Sequence, residues 1–255
     1  MTSGITRVVA LGASNLTLGI QTAISTARGA FGPGVELLAA NGYGRSYGAM
    51  SRIAGRTLPG ILQSGLWKEL ERLDRAPTRA LIMDVGNDIL YGFSPAQILS
   101  WVEEATDRLL AHTRDVILTD LPAHRVRRLS NAKFLFFRTL FFPPSRVSRD
   151  EAVARVDEVS RGLARLASDR GLRLAHLKSE WYAFDPIHFR PAVWRKAWRE
   201  ILLRDEPGGG AAPFSPLEWA RLHTLPPDRR WFFGLEQSTP QTGRTLARGG
   251  RLWLF

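Results

Sequence analysis

Two polar residues near the end of the chain, Asp185 and His188, have a spacing that suits proton transfer. A carboxylate three residues before an imidazole can hold the ring in one tautomer, and the ring can then take the proton of a serine hydroxyl. Ser14 follows the first apolar run of the chain, and Asn87 follows a later one, where its amide could donate to an oxyanion. These residue types predict nucleophilic acyl chemistry if folding gathers them in one pocket.

Alternating apolar and helical stretches predict the elements that would position these residues. The predicted strands cover residues 8–14, 35–40, 79–85, 115–121 and 172–177. The predicted helices cover residues 17–31, 58–75, 95–112, 149–169 and 191–203. This order predicts an α/β fold, a three-layer sandwich in which helices cover both faces of a five-stranded parallel sheet. Sites in such sheets lie at the carboxyl ends of the strands, which is where Ser14, Gly44 and Asn87 fall.

The composition excludes several classes of site. The 255 residues include no cysteine, so there is no thiol nucleophile, no disulfide framework and no compact Cys/His metal cluster. The five histidines are scattered, without a His-x-x-x-His pair that would indicate zinc. We therefore expect neither a metal nor an organic cofactor.

Charge and hydropathy bear on partners and location. The net charge is +11, and 31 of the 35 basic residues are arginine. A GC-rich coding bias would give this skew, and we interpret the charge as a solvated basic surface rather than a nucleic-acid site. The N-terminal residues lack the apolar core of a secretory signal, and no run approaches 18 apolar residues, so we expect a cytoplasmic protein.

Two segments depart from the regular alternation of strands and helices. We assign residues 1–204 to one catalytic domain, with an aromatic and basic insertion at 123–149, and residues 205–255 to an extension that wraps this domain. The insertion has seven Arg and Lys residues, no acid, and five phenylalanines. It could form a lid over an acyl pocket, lie on an anionic membrane surface, or be a covered loop that completes the core.

Four short blocks along the chain resemble the SGNH hydrolase superfamily, also known as GDSL-like esterases and lipases. The blocks are Gly12-Ala13-Ser14-Asn15, the glycines at 42 and 44, Val85-Gly86-Asn87-Asp88, and Asp185-Pro186-Ile187-His188. They occur in family order between residues 8 and 190. Ala13 stands where many members have aspartate, and the glycine of the third block is displaced by one position, so the chain resembles a divergent branch. The resemblance implies the flavodoxin-like fold of that superfamily.

The resemblance also implies a role for each matching residue. Ser14 would be the nucleophile, His188 the base, and Asp185 the carboxylate that orients it. Gly44, with Gly42 as the fallback, and Asn87 would bind the oxyanion together with the backbone amide of Ser14. We further assign Asn15, Asp88 and Arg45 to substrate binding, although Asp88 could instead brace its loop. The alternatives that need no catalysis are helix capping by Ser14 and Asn15 and a turn at Asp185-Pro186.

These assignments predict a serine esterase or acyl hydrolase that cleaves a small or medium carboxylic ester through an acyl-enzyme. Acyl transfer to an alcohol at the same site is a close variant. A non-catalytic binding module on the same scaffold is the alternative from another class, motivated by Ala13 and the displaced glycine. The acyl and alcohol parts of the substrate and the oligomeric state are not encoded in any pattern of the sequence.

Overall fold

The computed structural model describes residues 4–53, 55–204 and 214–255. The strands are β1 (Thr6–Leu11), β2 (Val35–Ala40), β3 (Ser51–Ile53), β4 (Arg56–Leu58), β5 (Thr78–Ile82), β6 (Asp115–Thr119), β7 (Arg173–Ala175), β8 (Arg229–Phe232), β9 (Leu235–Ser238), β10 (Arg244–Thr245) and β11 (Arg251–Leu254). The α-helices are α1 (Ser14–Phe31), α2 (Leu66–Arg72), α3 (Asn87–Leu90), α4 (Pro95–Leu110), α5 (Ala123–Arg127), α6 (Asn131–Phe141), α7 (Arg149–Arg170), α8 (Trp194–Leu203) and α9 (Pro216–Thr224). Single 3₁₀ turns occupy Ile61–Gln63, Ser179–Trp181 and Pro191–Val193.

The central sheet has the strand order β10-β11-β2-β1-β5-β6-β7 in the described part of the chain. Five neighbouring strands of this sheet are parallel, and they are the five that the apolar runs predict: β2, β1, β5, β6 and β7. The predicted α/β class is therefore confirmed, but the sheet is wider than expected. β11 adds a sixth strand parallel to β2, and β10 pairs antiparallel with β11 at the edge. The extra strands are short and come from beyond residue 240, where the sequence lacks a periodic apolar pattern.

Helices cover both faces of this sheet because successive strand side chains point to opposite sides. Val8 and Ala10 of β1 belong to a core with residues of α1 and α8, whereas Val9 and Leu11 belong to a core with residues of α4 and α7. Each face thus has its own layer of helices, as the sequence predicts.

A second, antiparallel sheet has the order β3-β4-β8-β9. β3 and β4 form a hairpin in the segment after β2, and β8 is contributed from beyond residue 214. The predicted helix at 58–75 is wrong at its start, since β4 extends to Leu58 and α2 begins at Leu66. Pairing with a strand more than 170 residues away outweighs the local helical pattern there.

The carboxyl ends of the parallel strands carry the residues of interest. Ser14 follows β1 after two residues, Asn87 begins α3 after β5, and the segment from β7 to α8 contains Asp185 and His188. Among the described residues, no helix combines the length and the apolar character that crossing a bilayer requires.

Candidate active site

Ser14 is the first residue of α1, directly after the turn that leaves β1. Its side chain is 5% exposed and contributes to the walls of two adjoining cavities. A hydroxyl at this place sits at the positive end of an 18-residue helix, next to backbone amides that have no partner within the helix. The position suits a nucleophile whose developing oxyanion needs donors nearby.

Asp84 fixes the turn that presents Ser14. One of its carboxylate oxygens accepts hydrogen bonds from the backbone amides of Ala13, Asn15 and Leu16, at 2.9, 3.0 and 3.2 Å. The other accepts from the Asn15 side chain at 2.8 Å. Asp84 follows β5 with φ of 61°, a left-handed conformation that aspartate tolerates better than most residues. It thus supplies, from beyond the neighbouring strand β5, a carboxylate acceptor for the amides at the start of α1.

The sequence reasoning missed Asp84. The available signal was a charged residue inside the apolar run 79–85, which an ordinary buried strand would exclude. The carboxylate is placed to satisfy the amides at the start of α1, and this explains why the run tolerates it.

Asn15 joins the Ser14 turn to the segment that carries His188. Its side-chain nitrogen donates to the Ile187 carbonyl at 3.0 Å, and its side-chain oxygen accepts from the Phe189 amide at 2.9 Å. With the additional bond to Asp84, both polar atoms of this amide have protein partners. Asn15 therefore holds the two halves of the site together, and it also lines a cavity beside Ser14, so that its contact with substrate stays a prediction.

Asp185 and His188 form the predicted pair. The Nδ1 atom of His188 lies 2.5 Å from one carboxylate oxygen of Asp185. The other oxygen accepts from the backbone amides of Ile187 and His188 at 2.8 and 3.3 Å. Burial raises the pKa of Asp185, but the hydrogen bonds from the His188 ring and from these two amides outweigh it, so that the pKa is lowered overall. An ionised Asp185 favours a proton on Nδ1 and leaves Nε2 as the basic atom.

Gly44 and Asn87 line the same cavity as Ser14 and His188. Gly44 has φ of 60°, and a Cβ atom there would lie 2.9 Å from the side chain of Ile53, so that the turn requires glycine. The hydroxyl of Tyr91 donates to the Gly44 carbonyl at 2.7 Å, which fixes the peptide between Gly44 and Arg45. Asn87 is 6% exposed and its side-chain nitrogen is 3.4 Å from the Arg45 carbonyl. Gly42 lines a different depression, beside Thr17.

Arg45 has a structural position, and its predicted contact with substrate is wrong. The side chain is fully buried, and its guanidinium donates to the carbonyls of Pro59, Asn41 and Phe255. Burial lowers the pKa of Arg45 to about 10, against the opposing effect of the Asp228 carboxylate. The guanidinium thus ties the loop after β2 to the segment after β11, because three carbonyls there need a donor.

Asp88 is likewise fully buried and braces the loop instead of meeting substrate, as the alternative interpretation has it. Its carboxylate accepts from the Tyr47 amide at 2.9 Å. Burial raises the pKa of Asp88 to about 6, although hydrogen bonds from the Ser46 hydroxyl and the Tyr47 amide lower it in part. The ionised form is thus disfavoured in the folded protein relative to the unfolded chain.

This shift predicts a pH dependence of stability that Asp88→Asn removes. Because the folded-state pKa is raised from 3.8 to about 6, the folded state binds more protons than the unfolded chain between these values. The contribution of Asp88 is therefore full below pH 4 and is lost as the pH rises to 6, with a size on the order of 3 kcal/mol. The difference in unfolding free energy between wild type and variant, measured by urea denaturation from pH 4 to 7, should follow this curve. A constant difference would contradict the prediction.

The cavity that Ser14, Gly44, Asn87 and His188 share has a volume of about 230 Å³. Helix α6 of the aromatic and basic insertion forms its roof through Leu140 and Phe141. The Phe141 ring stands edge-on to the His188 ring, with centroids 5.2 Å apart and planes at 86°. In the described part of the chain, no group of three His, Asp or Glu side chains lies together as a metal site would require.

The outer face of α6 is apolar and exposed. Leu135 and Phe136 are 45% and 57% exposed, and Lys133 lies over the ring of the exposed Phe184. The interpretation of 123–149 as a covered loop that completes the core is incomplete, since one face of α6 packs inward and the other meets solvent. The membrane contact of this segment stays a prediction.

Comparisons with known proteins give structural neighbours only. No protein family model matches the chain, and no curated protein matches it. The chain is similar to the crystal structure of TesA at 15% identity and a TM-score of 0.46, with 76% of this chain and 95% of that chain covered. It is also similar to the psychrotrophic esterase EstA from Pseudoalteromonas sp., at 14% identity and a TM-score of 0.47, over 76% of this chain and 93% of that chain.

A third neighbour is a member of the lipolytic protein G-D-S-L family from Veillonella parvula. It shares 10% identity with a TM-score of 0.48, over 76% of this chain and 95% of that chain. The G-D-S-L family is the one that the four sequence blocks resemble.

Proposed function

We propose that this protein is a serine esterase that hydrolyses a carboxylic ester through an acyl-enzyme on Ser14. The observation that carries the proposal is the shared cavity lined by Ser14, Gly44, Asn87 and His188, with Asp185 bonded to the far side of the His188 ring. A nucleophile, a base with its orienting carboxylate and oxyanion donors are the groups that acyl transfer requires.

In the first step, Nε2 of His188 takes the hydroxyl proton of Ser14 as the serine oxygen bonds to the carbonyl carbon of the ester. The carbonyl electrons move to oxygen and form a tetrahedral oxyanion. The ionised Asp185 stabilises the imidazolium that results, and its bonds to two backbone amides keep it in place. The oxyanion then re-forms the carbonyl, and the alcohol leaves with the proton from His188.

Three donors are available for the oxyanion. They are the side-chain amide of Asn87 and the backbone amides of Gly44 and Ser14. One such donor is commonly worth about 3 kcal/mol in barrier height. The absence of a side chain at Gly44 lets its backbone approach the substrate, and the bond from Tyr91 holds the next peptide, between Gly44 and Arg45, in place.

The second step repeats the first with water. Water gives a proton to Nε2 of His188 and attacks the acyl carbon. The acid is released as Ser14 recovers its proton. An alcohol in place of water would give acyl transfer by the same sequence of bonds.

A fluorophosphonate probe tests the proposal directly, because it phosphonylates only an activated serine. The wild type should gain one adduct, mapped by peptide mass spectrometry to Ser14, and should hydrolyse p-nitrophenyl acetate or butyrate. His188→Ala should lose the adduct, while the other serines of the chain provide the internal control. A wild type that is neither labelled nor active on any ester would rule the esterase out in favour of a binding module.

A further inference from the structure

A second cavity opens beside the first at Ser14. It has a volume of about 110 Å³ and shares Ser14, Asn87 and Ile187 with the cavity that contains His188. We call the first space, lined by His188, the leaving-group cavity, and the second the lateral chamber. Apolar residues make up most of its described lining, including Leu121, Val126, Leu129, Phe134 and Phe137.

We infer that the lateral chamber binds the acyl chain of the substrate and that this chain is an apolar acyl group of medium length. The inference rests on the proposed esterase function and specifies its substrate class. The acyl and alcohol parts of an ester diverge from the carbon that Ser14 attacks, so each part needs its own space. Two cavities that meet at the serine provide these spaces.

The position of His188 decides which part enters which space. The alcohol oxygen must receive its proton from the His188 ring, so the alcohol lies on the side of the ring. His188 lines the leaving-group cavity, whereas the described residues lining the lateral chamber do not include it. The acyl chain, which stays on Ser14 after the alcohol has left, therefore occupies the lateral chamber.

The lining specifies an apolar chain. The insertion contributes half-buried Val126 of α5 and Leu129, and the inward face of α6 contributes Phe134 and Phe137, both 5% exposed. Three charged side chains, Asp84, Asp120 and Arg138, also line the chamber. The Asp84 oxygens accept from the start of α1, and the Asp120 oxygens accept from the Leu177 amide and pair with His176. Arg138 donates through one terminal nitrogen to the Val147 carbonyl, and its Nε has no hydrogen-bond partner among the described residues. Each methylene buried against such a wall favours binding by about fourfold.

The volume limits the length. A water-sized group needs at least roughly 10–15 Å³, so the chamber of about 110 Å³ holds at most about 7 to 11 such groups. A methylene is similar in size to water, so the chamber suits an acyl chain of at most about ten carbons. The chain would run under α5 and α6 from the reacting carbon.

The test is a series of p-nitrophenyl esters from acetate to palmitate. For the wild type, kcat/KM for the octanoate ester should exceed that for the acetate ester by about 10²-fold or more, and it should fall beyond about ten carbons. Leu129→Trp, which fills the chamber, should reduce the octanoate-to-acetate ratio by about tenfold or more. Leu135→Trp is the matched control, since the same change on the exposed face of α6 should leave the ratio unchanged. If Leu129→Trp does not fold, Val126→Phe provides the same obstruction.

The possible outcomes distinguish failure of the acyl-chain assignment from failure of the esterase proposal. An octanoate-to-acetate ratio near one, or a ratio that Leu129→Trp leaves unchanged, overturns the acyl assignment while hydrolysis of acetate sustains the esterase. If no ester is hydrolysed and Ser14 is not labelled, the esterase fails, and octanoate binding to Ser14→Ala by calorimetry decides the chamber. Binding that Leu129→Trp abolishes supports the chamber, whereas no binding of octanoate overturns it.

Discussion

Replacing Ser14 with alanine is expected to reduce kcat for p-nitrophenyl butyrate by about 10⁵- to 10⁶-fold and to abolish the fluorophosphonate adduct. The variant keeps the oxyanion donors and the cavity but lacks the oxygen that forms the acyl-enzyme. Removal of a serine nucleophile elsewhere costs a similar factor because the remaining groups act as a unit with it. Stopped-flow or steady-state measurement of p-nitrophenol release gives the loss of kcat, and circular dichroism checks that the variant is folded.

Ser25→Ala is the matched control for this experiment. Ser25 lies on the same helix α1 and is 4% exposed, so the change removes a buried hydroxyl of the same kind. It is expected to keep both the activity and the adduct. A Ser14→Ala variant that retained more than about a tenth of the activity would show that another group attacks the ester.

The second large effect is expected for Asp84→Asn. Asparagine has the same shape and also tolerates the left-handed backbone, so the change isolates the loss of one carboxylate oxygen. With a single oxygen, an asparagine turns its NH₂ group toward either the three backbone amides or the Asn15 side chain. The buried N–H donors on that side then face the asparagine NH₂ group without an acceptor. Each lost hydrogen bond of this kind lowers the unfolding free energy by about 1–3 kcal/mol. We expect the unfolding free energy, measured in urea, to fall by about 3 kcal/mol.

The same substitution should also lower kcat, because the turn that presents Ser14 loses its brace. Asp120→Asn is the matched control for stability, since Asp120 follows the next strand, β6, and accepts one backbone amide, that of Leu177, besides its contact with the exposed His176 ring. It should cost about 1 kcal/mol or less. Equal stability losses in the two variants would contradict a special role of Asp84 at the start of α1.

Much of the fold could be predicted from the sequence because its signals are local. Buried parallel strands appear as continuous apolar runs, and amphipathic helices show a period of 3.6 residues, so both can be found without knowledge of partners. Helix α7 is an example, with a capping box at Ser148 and Glu151 and a left-handed Gly171 at its end. One pair of the candidate site could be predicted for the same reason. Asp185 and His188 are three residues apart, so their contact depends on short-range geometry.

What depended on distant contacts could not be predicted. β11 joins the sheet through pairing with β2, more than 200 residues earlier, and β4 exists because β8 returns to it. Arg45 and Asn15 have the residue types of substrate ligands, but burial gives them carbonyls, amides and Asp84 as partners. The residue type alone does not say whether a polar group meets substrate or protein.

The sequence by itself determined the order of the five central parallel strands, the main helices between them and the identity of the chemical groups at the strand ends. Only the tertiary structure decided that Asp84 accepts the amides at the start of α1 and that the insertion lines a chamber beside Ser14. The physical reason is that periodicity and capping act between residues within about one helical turn. Hydrogen-bond satisfaction and cavities, in contrast, arise where segments far apart in the chain pack against one another.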